Sequence, residues 1–203
     1  MLIYVKSNLE IYKELSNPQV EFIMGYPFKE RDKHKVECMY FMKRKRIWNK
    51  VFNRITYTLY YKLPVSSRKP RLQLSTGEQW EFYFAPQWHA LSFHFVEYML
   101  SLLNNHPEIL RRFVRSYAPD EILIPTILFN SPYKNRALRS FFPDGTHYNE
   151  LCSIHYLNYD PVIEVFDENS FDRIINSGKC FVRKLRSNKS QKLIEMLDKR
   201  RNS

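Results

Sequence analysis

Between Gln87 and Ser131 the chain reads QWHALSFHFVEYML and then PEILRRFVRSYAPDEILIPTILFNS. The tripeptide Pro119-Asp120-Glu121 thereby falls at the head of an apolar helical segment, just downstream of an amphipathic one. A carboxylate in the first turn of a helix meets free backbone N–H groups and is held ionised. An ionised carboxylate fixed between aromatic segments can take a proton from a hydroxyl, which makes Glu121 the candidate general base. The same three residues also spell an ordinary helix start, with proline at the first helical position, so the tripeptide alone does not choose between the two.

Other chemistries find less in the sequence. The six histidines form no ligand pattern: His89 and His94 are five apart and no His-Glu-x-x-His occurs. Cys38, Cys152 and Cys180 are widely separated with no Cys-x-x-Cys pair, so neither a zinc knuckle nor a disulfide framework is indicated. A reducing compartment, and so a cytoplasmic location, is the simplest expectation. Only 4 glycines are present, without a phosphate-cradling glycine loop, and there is no Asp-x-Asp to hold a divalent ion. No metal is expected, and a diphosphate bound here has to be neutralised by lysine and arginine.

The chain carries a net charge of +11, from 32 basic and 21 acidic side chains, and is attracted to phosphate in some form. Nucleic acid, an anionic membrane surface and a phosphorylated small molecule all fit that sign. The densest basic run, Lys43-Arg44-Lys45-Arg46, and the tail cations Arg183, Lys184, Arg186, Lys189, Lys192, Lys199, Arg200 and Arg201 read first as solvated faces. No apolar run approaches 18 residues, so no membrane span is expected, while peripheral attachment through the basic face stays open. Aromatic residues are 16% of the chain; they serve first as core volume, with Tyr and Trp faces available to stack on sugars or bases.

These residues need a scaffold, and 203 residues suffice for one domain, taken as 1–203. Ser7 caps a short helix carrying Leu9, Ile11, Tyr12 and Leu15, which Asn17-Pro18 ends. Val20 to Met24 reads as a strand, Val36 to Tyr61 as a mostly helical aromatic segment, and Lys62 to Pro70 as a loop. Leu72 to Leu74 and Trp80 to Phe84 are two strands turning at Thr76-Gly77. Ser92 caps a helix with Phe95, Val96, Met99 and Leu102 or Leu103 on one face; Pro107 and Pro119 start further helices, and Pro125 kinks or shortens the third. Ile154 to Asn158 is a strand, Asp167 to Asn176 a helix closed by Gly178, Cys180 to Leu185 a strand, and Lys189 to Arg200 a terminal helix. The alternation gives an α/β or mixed α+β class.

Five separated blocks, QW-x-ALS, FVEYML, APDE-x-x-x-x-T-x-L-x-NSP, IHYLNYDP and CFVRKL, run in the order and with the spacing of a known family. The chain resembles the core-2/I-branching β-1,6-N-acetylglucosaminyltransferases, a family that includes peptide O-xylosyltransferases, from about Ser7 to Leu185. The resemblance implies a GT-A-like fold and an inverting, metal-independent transfer from a UDP-sugar, UDP-GlcNAc first, to a glycan hydroxyl. It assigns Glu121 as general base, Lys184 as the contact to the donor diphosphate and Arg183 as a stand-in for a second diphosphate cation, for which Pro161 is nearest by register. Tyr159 falls where relatives often have an acceptor-contacting Trp; Trp88 lines the acceptor side, and Lys33, with Arg31 and Lys35, loosely matches a basic acceptor-contacting stretch.

Besides the unmatched second arginine and the loosely matched basic stretch, two further departures accompany the resemblance. Ala85-Pro86 stands where relatives usually read Gly-Ser, and the chain opens inside the later part of the family pattern, so a domain truncated at its N-terminus is expected. The implied partners are a nucleotide sugar and a glycan, not nucleic acid, with no cofactor beyond the donor. The alternative is a basic, aromatic module that binds a glycan or nucleic acid without chemistry, or a degenerate transferase fragment.

Overall fold

Ser7 and Glu10 start the first helix by capping each other: the Ser7 hydroxyl accepts from the Glu10 N–H, and the Glu10 carboxylate accepts from the Ser7 N–H at 2.7 Å. The computed structural model describes residues 3–37, 71–114, 116–143, 146–160 and 162–202. Most of the expected aromatic helix to Tyr61, the Lys43–Arg46 run, the loop 62–70, Cys38 and Pro161 lie outside the described residues. Two compact units make up the chain.

The first unit comprises Met1–Gly25, Ala85–Val96 and Tyr133–Ser203. Its main sheet has strands β1 (Ile3–Tyr4), β8 (His155–Tyr156) and β9 (Phe181–Val182) in the order β1-β9-β8, with β1 antiparallel and β8 parallel to β9. Between the parallel strands runs helix α6 (Phe171–Asn176), which ends near Gly178 in the left-handed region at φ +68°. Helix α7 (Gln191–Arg201) buries Leu193 and Leu197, one turn apart, against Val5, Phe166, Ile174, Val182 and Leu185. Helix α1 (Asn8–Leu15) buries none of its residues. Strand β2 (Glu21–Met24) pairs in parallel with β7 (Ala137–Arg139).

In the second unit, β3 (Tyr26–Pro27) pairs with β6 (Tyr83–Phe84), and β4 (Leu72–Gln73) with β5 (Gln79–Trp80) around Gly77 at φ +89°. The expected strand Trp80 to Phe84 is therefore two. Asn130 takes the Glu81 N–H and carbonyl, and Thr126 Oγ1 accepts from the Tyr83 N–H at 3.1 Å, so the chain leaves β4 and joins β3. Helix α2 (His34–Glu37), helix α4 (Pro107–Phe113) and helix α5 (Leu123–Phe129) also belong to this unit. Helix α3 (Phe93–Asn105) begins as its sequence predicts, with Ser92 Oγ accepting from the Phe95 N–H. The chain thus has mixed, α/β character with small sheets.

Candidate functional site

β8 and β9 run in parallel and form a strand–helix–strand unit with α6, so both release the chain at the same sheet edge. Ligands of parallel α/β sheets bind outside the carboxyl ends of the strands, where following residues are free to turn outward. Tyr159 follows β8 there, and Arg183 and Lys184 follow β9. Among the described residues, neither the Arg183 guanidinium nor the Lys184 ammonium has an acidic partner.

Arg183 instead lies over the Trp88 ring, 4.9 Å from its centroid. The resemblance gives these two residues separate duties; the fold brings them into contact. Trp88 sits in an extended segment that bridges to β2 through Phe22 and Ala90, whose N–H groups each donate to the other's carbonyl at 2.8 and 3.3 Å. The Ser153 hydroxyl donates to the Phe22 carbonyl at 2.7 Å, with the Trp88 carbonyl 3.3 Å away. Behind Trp88, edge-on at 5.6 Å, lies His155, which is 1% exposed. Neither of its ring nitrogens has a hydrogen-bond partner among the described residues. Burial, then the charges of Arg183 and Lys179, pull its pKa down to about 4, so the ring is neutral at pH 7. Lys179 itself donates to the Cys152 and Ser153 carbonyls at 2.8 and 3.1 Å, and burial lowers its pKa.

The Tyr159 loop is tied down at several points. Its N–H donates to Asn149 Oδ1 at 2.8 Å, and its ring lies 6.0 Å from Tyr148, yet the residue remains 43% exposed. The chain then doubles back: Glu164 N–H donates to the Asn158 carbonyl at 2.8 Å, Lys184 N–H to the Glu164 carbonyl at 3.4 Å, and Phe166 N–H to the Lys184 carbonyl at 3.1 Å. The return limb therefore lies alongside Lys184. Burial works against ionising Glu164, but bonds from Arg173 and Asn158 outweigh it and hold its carboxyl below the usual range.

Glu121 and Lys33 belong to the second unit. Sequence places Glu121 in the first turn of a helix; the fold corrects this. Pro119–Glu121 forms a 3-10 turn entered through Ala118 at φ +46°, and Ile122 separates it from α5. The reason is Pro125, whose ring would clash with the carbonyl four residues back if the helix ran on from Pro119. As the third residue of α5 its missing N–H leaves no bond unmade. Glu121 thus stands just ahead of the helix start, half-buried beside fully buried Ile122. Its turn packs on α5, whose Phe129 stacks on Tyr83 at 4.8 Å. Lys33 lines a cleft of about 300 Å³ with Pro27, Phe28, Arg71, Glu81 and Phe82, and its ammonium pairs with Glu30.

No family model and no curated protein matches this chain. Among the described residues no group of three or more His, Cys, Asp or Glu is placed to hold a metal ion, and no helix is long and apolar enough to cross a membrane. Sequence reasoning missed His155, which packs on Trp88, and Asn149, Asn158, Glu164 and Arg173, which long-range folding joins by hydrogen bonds and an ion pair. The Lys33–Glu30 pair is a local i, i+3 contact of opposite charges.

Proposed function

We propose that this chain is an inverting glycosyltransferase of GT-A-like fold. It moves a sugar, GlcNAc from UDP-GlcNAc first and xylose as the neighbouring choice, to a glycan hydroxyl without a metal. The observation that carries the reading is that Arg183 and Lys184, which have no acidic partner among the described residues, follow β9 at the end where its parallel neighbour β8 leads to the exposed Tyr159. A fixed pair of this kind offsets the charge that grows on a departing diphosphate, as an Asp-x-Asp site would do through its ion. Tyr159 offers a ring face to the acceptor, and Trp88, under Arg183, holds the guanidinium at the donor.

Glu121 is the base in this reading. In an inverting transfer the acceptor oxygen attacks the anomeric carbon from the face opposite the diphosphate, its proton passes to a carboxylate, the role that the resemblance gives to Glu121, and the sugar–phosphate bond breaks to release UDP. Lys33 keeps the acceptor-side role that the resemblance gives it, and its ammonium pairs with the exposed Glu30. The test is release of UDP from UDP-GlcNAc by the purified 203-residue chain in a chelator, with and without mixed glycan acceptors. Acceptor-dependent release supports the reading; the absence of both release and UDP binding sinks it. Should the chain instead bind oligonucleotides with an affinity that collapses steeply as salt rises, it is a nucleic-acid module.

A further inference from the structure

Glu164 bonds to both segments that the proposed reaction needs, and to Arg173 of α6. Its carboxylate accepts from Asn158 Nδ2 at 2.7 Å on one oxygen and pairs with Arg173 on the other. Its N–H donates to the Asn158 carbonyl, and its carbonyl accepts from the Lys184 N–H. From Asn158 the path continues: Asn149 Nδ2 donates to Asn158 Oδ1 at 3.1 Å, and Asn149 Oδ1 accepts from the Tyr159 N–H. An unbroken set of hydrogen bonds therefore joins the backbone of Lys184 to the backbone of Tyr159, with Glu164 at the junction.

We infer that Glu164 is a positioning residue that holds the acceptor ring Tyr159 and the diphosphate cation Lys184 in one register. The inference rests on the transferase reading for what those two residues bind. An exposed ion pair by itself is worth little, because two long side chains must be ordered to form it. Arg173, however, is already ordered: its guanidinium lies 5.1 Å from the centre of the Phe166 ring and donates to Ser170 Oγ at 2.8 Å. Phe166 in turn donates its N–H to the Lys184 carbonyl, so the base of the relay and the cation share a segment. A carboxylate is also the group this junction requires. Both of its oxygens accept, whereas a glutamine would turn an N–H₂ toward either Asn158 Nδ2 or Arg173, donor against donor.

Two variants separate this role from general destabilisation. Glu164→Gln is expected to speed amide hydrogen exchange at Tyr159, Phe166 and Lys184, and to weaken UDP binding about tenfold while raising the acceptor KM. The Phe22 and Ala90 amides of the same unit should keep their rates. Asn149→Ala releases the Tyr159 end only: exchange rises at Tyr159, the acceptor KM rises, and UDP affinity stays within about twofold. Glu164→Asp, too short to span both partners, should repeat the Glu164→Gln pattern and stands in should that protein not fold. Unchanged exchange at Phe166 and Lys184 in both Glu164 variants, or equal loss at Phe22 and Ala90, overturns the inference. If the exchange pattern appears but the unaltered chain binds no UDP, the positioning role stands and the transferase reading falls.

Discussion

Two groups of cations in the first unit carry the same charge in different surroundings. Around the terminal helix α7, Lys189 lies 3.5 Å from Asp167, Lys192 3.4 Å from Glu168 and Arg200 3.8 Å from Glu10, while Arg201 pairs with Asp198. After β9, Arg183 and Lys184 have no such neighbours among the described residues, and Arg183 rests on an indole. A net charge of +11 says nothing about which cations await an anion. Pairing gives a guide: a cation already beside a carboxylate is partly matched and gains less from a phosphate than one with no such neighbour among the described residues.

The largest effect expected from breaking this arrangement is on chemistry. Glu121→Gln should lower turnover by about a hundredfold to ten-thousandfold while UDP affinity is kept, measured as initial rates beside calorimetric titration. Near-normal turnover would remove Glu121 as the base.

Next comes acid. His155 sits behind the unmatched cations with its pKa lowered to about 4 from 6.5, so the unfolded chain takes up its proton first. Stability should fall as pH drops from about 6.5 toward 4, by at most about 3 kcal/mol from this residue. Urea midpoints at a series of pH values should therefore flatten in His155→Phe relative to the unaltered chain. His89, whose pKa burial also lowers, adds a slope of the same sign, so the difference between the two proteins is the quantity to read. Ser7→Ala, on the paired side, should cost about 1 kcal/mol by removing the cap of α1 without touching UDP binding. An affinity change there would show that the paired region takes part in binding after all.

Much of the local structure was legible because it is set by neighbours in sequence. Ser7 with Glu10, Ser92 with Phe95, Pro107 at a helix start and Gly77 at a turn each act within four residues, and each appears where its sequence says. Expected elements that depend on tertiary partners came out shorter or divided. The strand at Trp80 to Phe84 breaks because Asn130 and Thr126, more than 40 residues away, take its backbone groups. The helix expected over Asp167 to Asn176 opens as a 3-10 turn at Glu168–Ser170 before α6. In the candidate site, Tyr159, Arg183 and Lys184 could be named from blocks of sequence, but the Arg183–Trp88 contact and the relay through Glu164 could not. Those contacts join residues 88 to 183 and 149 to 184, distances along the chain over which no periodicity carries information.

A calorimetric titration with UDP distinguishes Arg183 and Lys184, without acidic partners among the described residues, from the paired cations of α7 as the anion site. The unaltered chain, Lys184→Ala and Lys192→Ala are compared in chelator at one salt concentration. The account predicts that Lys184→Ala loses binding by about tenfold or more, while Lys192→Ala, whose ammonium already faces Glu168, stays within about twofold. Equal losses in the two variants, or no UDP binding by the unaltered chain, would contradict it.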